Sequence, residues 1–273
     1  AFRRDVFRPE AESFGQADGR EVVLFADTFN RIYERENLDA ALRVLIEGGY
    51  RIHIPRPADR TRPLCCGRTF LSAGLVEQAR SELDRLVETY APFAARGVPI
   101  VGLEPSCLLT LRDELPAVLK GEAADHLAAN ALLLEEFLAR EHKAGRLDLP
   151  LGALPQKALL HGHCHQKAFA AMGAVESVLK LIPELSVETI ESSCCGMAGS
   201  FGYNKDTIDV SLKMGELSLL PAVRKAPGDT LIVADGTSCR HQIHDGASRD
   251  ALHVARVLAM SLAAANQKAD TSY

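Results

Sequence analysis

Three observations in the amino-acid sequence predict an α/β fold of two tandem, pseudo-symmetric βαβ modules with mostly parallel sheets. Short, continuously apolar runs alternate with longer segments of helical period along the 273 residues. The alternation lapses between residues 143 and 156, which hold Gly, Pro and little periodicity, and then restarts in the same order. A Cys-Cys-Gly triplet recurs at matching places in the two halves, Cys65-Cys66-Gly67 and Cys194-Cys195-Gly196. On this pattern residues 1–20 are a polar linker or tail, residues 21–149 the first module and residues 150–273 the second.

In the first module, Glu21-Val22-Val23-Leu24-Phe25-Ala26 reads as a strand buried on both faces, as parallel strands are. Residues 30–48 are predicted helical, with Leu38, Leu42, Leu45 and Ile46 at helical spacing and Gly48-Gly49 as the stop. Residues 50–55 alternate as a strand, and a Pro/Arg loop over 56–63 leads into the first cysteine pair. A long helix over 73–96, a strand over 99–103 and a Leu-rich helix over 122–142 follow. The stripe of Leu127, Leu132, Leu134, Phe137 and Leu138 on the last is core packing. The second module predicts strands at 157–160, 187–190 and 230–234, with helices at 166–181, 206–224, 238–245 and 249–265.

Composition excludes several classes. Hydrophobic residues make up 47% and aromatics 5%, with no Trp, which suits a Leu/Ala/Val-rich α/β core and argues against disorder. The net charge is −5 with both signs interspersed, so no basic stripe points to nucleic acid or an anionic membrane surface. No apolar run approaches the roughly 18 residues of a membrane span. The opening Ala1-Phe2-Arg3-Arg4-Asp5 has no apolar core behind it and does not read as a signal peptide. With no initiator Met, the chain is expected to be processed or a piece cut from a longer polypeptide. The seven cysteines are clustered rather than spread as staples, which fits a reducing compartment. The expected location is cytoplasmic, extending to peripheral attachment at the inner membrane face.

Cys107 and Cys164 follow their predicted strands by four residues and Cys239 by five. Sites in open parallel sheets gather beyond the carboxyl ends of the strands, so distant loops can converge there. Helix N-termini at that end supply free N–H groups that favour thiolate. Adjacent cysteines fit poorly on one tetrahedral zinc, whose ligands normally stand two to four residues apart. All-thiolate ligation points to iron–sulfur or zinc. The second module offers four thiolates, Cys164, Cys194, Cys195 and Cys239, which matches the need of a [4Fe–4S] cluster. The first offers only Cys65, Cys66 and Cys107. Thr28 stands where Cys164 would, with Asp27 beside it as a substitute ligand, so this site holds a cluster, holds zinc or is empty. His161, His163 and His165 flank Cys164 and read as metal ligands, as donors to a cluster sulfur, or as an ordinary polar loop. Gly196, Gly199 and Gly202 suggest close backbone packing over a cluster. Arg240, His241 and Lys205 could meet a substrate carboxylate, against the plainer reading of solvated charges.

Several segments together carry a family resemblance: residues 25–30 (FADTFN), 64–68 (LCCGR), 102–107 (GLEPSC), 161–165 (HGHCH) and 194–202 (CCGMAGSFG). Over roughly residues 20–260 the chain resembles the cysteine-rich "CCG" family. That family includes the B subunit of heterodisulfide reductase, the iron–sulfur subunits of glycolate oxidase and lactate utilisation proteins, and the C subunit of anaerobic glycerol-3-phosphate dehydrogenase. It is most similar to the C-terminal region of large FAD-linked oxidases acting on D-lactate or D-2-hydroxyglutarate. The resemblance implies an iron–sulfur electron-transfer domain of a flavin-linked 2-hydroxyacid dehydrogenase, catalytically incomplete alone. Its implied partners are an FAD-binding dehydrogenase domain or subunit, a ferredoxin-type Fe–S domain, and a quinone or other electron carrier. Family members often end each module in C-x-x-C, whereas Thr110 and Gln242 occupy the last place here, which counts against a five-thiolate non-cubane cluster. Two other readings stand beside it: a zinc-binding structural or docking module, and a thiol-disulfide reductase acting at a non-cubane cluster.

Overall fold

Val22, Val23, Leu24 and Phe25 are wholly buried, as a strand at the centre of a parallel sheet must be. They belong to the second of five strands in the first half of a computed structural model, which describes residues 4–270. The five are Ser13–Gly15 (β1), Arg20–Phe25 (β2), Tyr50–His53 (β3), Ile100–Gly102 (β4) and Ala131–Leu133 (β5). Their order is β1-β3-β2-β4-β5, and every pairing is parallel except β1 with β3. The second half holds Lys157–Leu160 (β6), Ser186–Thr189 (β7), Leu231–Val233 (β8) and Ala251–Leu252 (β9) in the order β7-β6-β8-β9, all parallel. With β1 set aside, both sheets run second-first-third-fourth. Helices join successive parallel strands, so each half is a βαβ array of the predicted α/β class. The contacts divide the chain into units of residues 1–149 and 150–273. Among the described residues, no helix is long and apolar enough to cross a membrane.

Three expectations need correction. Of the expected tail over 1–20, the described part, residues 4–20, is not simply a tail. Ser13–Gly15 pairs with β3 in register Ser13↔His53, Ser13 Oγ bonds His53 Nδ1 at 2.9 Å, and Phe7 is buried. This segment covers the edge of β3, whose backbone groups need partners, and does so with a polar sequence that carries no apolar run. Each sheet also has a fourth strand inside a predicted helix. β5 interrupts the helix expected over 122–142, giving helices Glu122–Asn130 and Leu134–Lys143. β9 occupies the start of the helix expected over 249–265, which begins instead at Val254. Ala131-Leu132-Leu133 has no β-branched residue and continues the helical stripe. Its extended state comes from the free edge of β4 (Ile100↔Ala131), a tertiary demand that overrides local propensity. Finally, two long predicted helices are pairs: Cys164–Ala168 with Met172–Leu179, and Ile208–Glu216 with Leu219–Lys225.

One buried carboxylate ties the first unit together. The Glu141 side chain is 3% exposed and forms ion pairs with Arg20 and, at 2.8 Å, Arg146. Arg20 also reaches Tyr50 Oη at 3.2 Å. Burial opposes the charge, but the two guanidiniums hold Glu141 down at about 2. Its folded pKa lies below its ordinary value of 4.5, so its stabilisation is complete above that value and is lost as pH falls towards 2. Glu141→Gln should therefore flatten the fall in stability between pH 4.5 and 2. Urea unfolding at stepped pH checks this, and parallel acid limbs for the two proteins would refute it.

Candidate metal centre

Strand β6 delivers His161-Gly162-His163-Cys164 to the carboxyl end of its sheet. His163 is the N-cap of the helix Cys164–Ala168, where its Nδ1 accepts from the His165 N–H at 3.1 Å. Gln166 Oε1 accepts in return from the His163 N–H at 3.0 Å. This cap makes Cys164 the first helical residue, with its Sγ 3.9 Å from His163 Nδ1. Strand β8 runs out through Ala234-Asp235-Gly236 into the helix Thr237–Ala247, whose third residue is Cys239. Asp235 joins the two exits, its Oδ2 accepting from Gln166 Nε2 at 2.8 Å. At Gly236 the loops nearly touch: a side-chain carbon there would stand 2.3 Å from His163 Cδ2 and 3.3 Å from Cys239 Sγ.

The third loop comes from β7 and carries Cys194-Cys195-Gly196. Gly196 takes φ +93°, and a side-chain carbon on it would fall 2.1 Å from Ser211 O, so only glycine fits. Gly67 of the first triplet is likewise left-handed, at φ +74°. Lys167 clamps this loop to the first by donating to Ser192 O and, at 2.9 Å, to Ser193 O.

The four thiols of the second unit form a continuous hydrogen-bonded chain. Cys194 interacts with both Cys164 and Cys195, and Cys195 also with Cys239. Cys194, which further accepts from the Gly196 N–H at 3.3 Å, and Cys239 are thereby pushed well below the ordinary thiol range. The imidazole of His163 adds to both shifts and that of His161 to Cys239, against the opposing effect of burial. Cys164, which is exposed, and the buried Cys195 are raised by their contact with Cys194, with desolvation adding to it. A ring nitrogen of His161 and the sulfurs of Cys195 and Cys239 all lie within 4.8 Å of one another. His161 Nδ1 is 2.8 Å from Ser192 Oγ, whereas its Nε2 is buried without a hydrogen-bond partner. Burial lowers the Lys167 pKa, and all four thiols pull it back up, so its ammonium faces the whole set. A lysine three positions beyond Cys164 on the same helix face is the sequence signal for this neighbour.

The first unit has the same connections and different chemistry. Asp27 caps the helix Thr28–Ile32, its Oδ1 accepting from the N–H groups of Phe29 and Asn30 at 3.0 and 3.1 Å. Its Oδ2 accepts from Asn30 Nδ2 at 2.7 Å. Both oxygens of the suggested substitute ligand are thus engaged in the cap. Burial and the nearby Glu104 raise Asp27 to about 6, against the Asn30 bonds. Cys65 donates to Cys66 and Cys66 to Cys107, and both donors are raised, Cys66 with burial adding to the effect. Cys107 gains from the Cys66 bond, but burial and the carboxylates of Asp27 and Glu104 push it up to about 12. Among the described residues, no three ligand atoms of this unit gather within 4.8 Å.

Other candidates fall outside the thiol set. Arg240 is neither solvated nor available to a substrate. It is buried and donates to Ala234 O at 2.9 Å, Asp235 O at 2.6 Å and Thr237 Oγ1 at 3.1 Å, closing the carboxyl end of β8. Lys205 is exposed, and His241 Nδ1 is 2.8 Å from Tyr203 Oη. Gln242 is buried and donates to Ser211 O at 3.2 Å, and Thr110 donates to Ser106 O at 2.8 Å. The rings of His163 and His165 stack edge to face at 5.1 Å. The nearest atoms to Gly202 are on Met197 and Ser211, so this glycine serves local packing rather than a lid over the sulfurs.

A parallel α/β unit whose strand exits bring four thiols together defines a cysteine-rich domain. Residues 158–244 match the Cysteine-rich domain, CCG. The chain is 30% identical over 203 residues to the C subunit of anaerobic glycerol-3-phosphate dehydrogenase from Escherichia coli K12, covering 73% of this chain and 50% of that protein. It is 25% identical over 227 residues to D-2-hydroxyglutarate dehydrogenase of Pantoea ananatis, covering 82% of this chain and 21% of the relative. Lactate utilization protein A of Bacillus licheniformis is 24% identical over 210 residues, or 71% and 82% of the two chains. The chain thus spans half of the first relative and about a fifth of the second.

Gly236→Ala should drive the β8 exit away from His163 and weaken metal binding at the second-unit thiols by about 10–100-fold, the usual cost of disturbing the groups that orient ligands. Competition with a chromogenic chelator measures the change, and unchanged affinity would show that the loop contact does not set the thiol positions.

Proposed function

We propose that the second unit holds an iron–sulfur cluster, [4Fe–4S] in type, on Cys164, Cys194, Cys195 and Cys239. In this reading the chain is an electron-transfer domain of a flavin-linked 2-hydroxyacid dehydrogenase. The convergence of four thiols from three separate strand exits carries the proposal. Such a cluster, once bound, accepts and releases single electrons. The residues around it match its needs. Lys167 offsets the negative charge of several thiolates, and burial of Cys195 and Cys239 keeps water from their sulfurs. The dehydrogenase names among the relatives support the redox reading. FAD and the hydroxyacid would belong to a partner domain or subunit, a ferredoxin-type domain would lie between, and a quinone or other carrier would take the electrons. The first unit, with three thiols beside two carboxylates, is a site for a weaker cluster or zinc, or is vacant in function.

A second reading rests on the grouping of His161, Cys195 and Cys239 within 4.8 Å, which with one more thiol suits a structural zinc. Anaerobic reconstitution with iron and sulfide separates the two. A brown protein with broad visible absorption and about four irons per chain supports the cluster. A colourless protein that retains zinc and rejects iron would replace it with the zinc reading.

Cys239→Ser should abolish that absorption, because a four-thiolate site loses a ligand, while Cys66→Ser should leave most of it. Equal loss in both variants would mean one shared site or a general folding defect.

The metal-free chain should still unfold cooperatively on heating, since each unit buries a sheet without help from metal, unlike a zinc finger. A metal-free form with no thermal transition by circular dichroism would make the metal structural.

A further inference from the structure

The first unit contains a cavity of about 350 Å³ that none of the thiol chemistry uses. It opens where β2 and β3 leave the sheet, beside the first Cys-Cys pair. Five guanidiniums line it, Arg8, Arg31, Arg56, Arg60 and Arg62, with the Tyr90 ring at the wall and prolines between them. Among the described residues, no carboxylate lines it. Five like charges around so small a space repel one another and are costly to hold together without a compensating anion.

Outside the cavity, two of the five already have acidic partners. Arg62 donates to Glu82 at 2.6 Å, and Arg56 lies 3.9 Å from Glu12. The other three are less satisfied. Among the described residues, the Arg31 side chain reaches the Phe7 carbonyl at 3.4 Å, while its Nε is buried with no hydrogen-bond partner. Burial lowers its pKa, against the opposing pull of Tyr90 and Asp27. Among the described residues, the side chains of Arg8 and Arg60 make no hydrogen bond or ion pair. Arg60 also sits at φ +48°, in the left-handed region that a residue with a side chain rarely adopts, and such strain collects at ligand sites.

The loop bearing these residues is braced from beneath. Arg85, on the helix Val76–Ala94, donates to Asp59 at 2.9 and 3.1 Å, to the Arg62 carbonyl at 2.7 Å and to the Pro63 carbonyl at 3.4 Å. The guanidiniums are therefore carried by a backbone fixed in advance, and fixing the loop beforehand reduces what a ligand must spend on ordering it.

We propose that this cavity is a binding site for a small organic dianion, with Arg8, Arg31 and Arg60 as the groups that take its charged ends. Its volume is at the lower end of the range for metabolite pockets, roughly 300–1,000 Å³, and excludes a cofactor of dinucleotide size. Guanidinium forks fit carboxylate and phosphate oxygens two at a time, and the apolar proline faces suit a short carbon chain between the ends. The ligand chemistry is therefore a short dicarboxylate or a phosphate monoester. The inference stands on the first unit alone and does not depend on what the second unit's thiols hold.

Isothermal titration of the whole chain, at constant ionic strength, with malonate and separately with methyl phosphate tests it, with sodium chloride as control. Saturable one-to-one binding of either probe is expected, and which of them binds tells dicarboxylate from phosphate monoester. The double variant R8Q/R60Q, altered only at exposed side chains, should raise the dissociation constant at least about tenfold, the scale of a lost charge-assisted pair. Arg31→Gln should do the same, while iron and zinc uptake by the second unit stays unchanged. The absence of saturable heat with both probes would overturn the proposal. So would an equal affinity in R8Q/R60Q, which would mark the signal as non-specific ion binding.

Discussion

The geometry of the second unit depends on one buried carboxylate. Asp235, at the end of β8, accepts from the Gln166 side chain with one oxygen and from the Val254 N–H at 3.1 Å with the other. It is 1% exposed, so neither bond can be exchanged for water without cost. Through Gln166 it fixes the His163 cap, and through the cap the place of Cys164. Through its own backbone, held by Arg240, it fixes the turn that starts the helix of Cys239. A soft metal site needs its sulfurs placed before the metal arrives, or ordering them is subtracted from affinity. Here that ordering is done by neutral and charged hydrogen bonds beneath the thiols, and none of it uses a thiol.

Much of this was legible in the sequence, for identifiable reasons. β2, β6 and β8 are continuous apolar runs, and burial on both faces leaves no other pattern. The glycines that close the two Cys-Cys-Gly triplets are both left-handed, where glycine is the favoured residue. β5 and β9 were hidden because three and two residues are too short for a period, and Leu and Ala serve a helix stripe equally well. β1 was hidden because it is polar and covers an edge instead of filling a core. Arg240 was misread because charge normally means solvent. Its burial follows from the carbonyls left over where β8 stops, which no local pattern reports. Lys167 is visible only once the helix face of Cys164 is known to look onto the loop of Cys194.

The two units separate scaffold from chemistry. Each places a residue with an acceptor side chain at the end of its first strand in the unit's core order, and each uses it to cap the next helix. In the first unit Asp27 Oδ1 accepts from Phe29 N–H, two residues on. In the second, His163 Nδ1 accepts from His165 N–H, also two residues on. The next residue, first in the helix, is Thr28 in one and Cys164 in the other. The backbone requirement is the same, and either side chain satisfies it.

What the choice of cap changes is the charge beside the thiols. A carboxylate cap puts negative charge against Cys107 and adds, with Glu104, to the burial that raises that thiol. An imidazole cap brings no such repulsion, and Cys194 and Cys239 are lowered by their neighbouring thiols with the imidazole adding to the effect. Thiolates are the metal-binding form, so the capping residue bears on Cys194 and Cys239 in one unit and on Cys107 in the other. The missing fourth thiol at Thr28 and the acidic cap beside it therefore work in the same direction. Restoring a cysteine at Thr28 alone would add a ligand to a site whose field still favours the protonated thiols. The histidine cap and Lys167 together distinguish the second unit as a home for several adjacent negative sulfurs, and the cysteine count is only part of that difference.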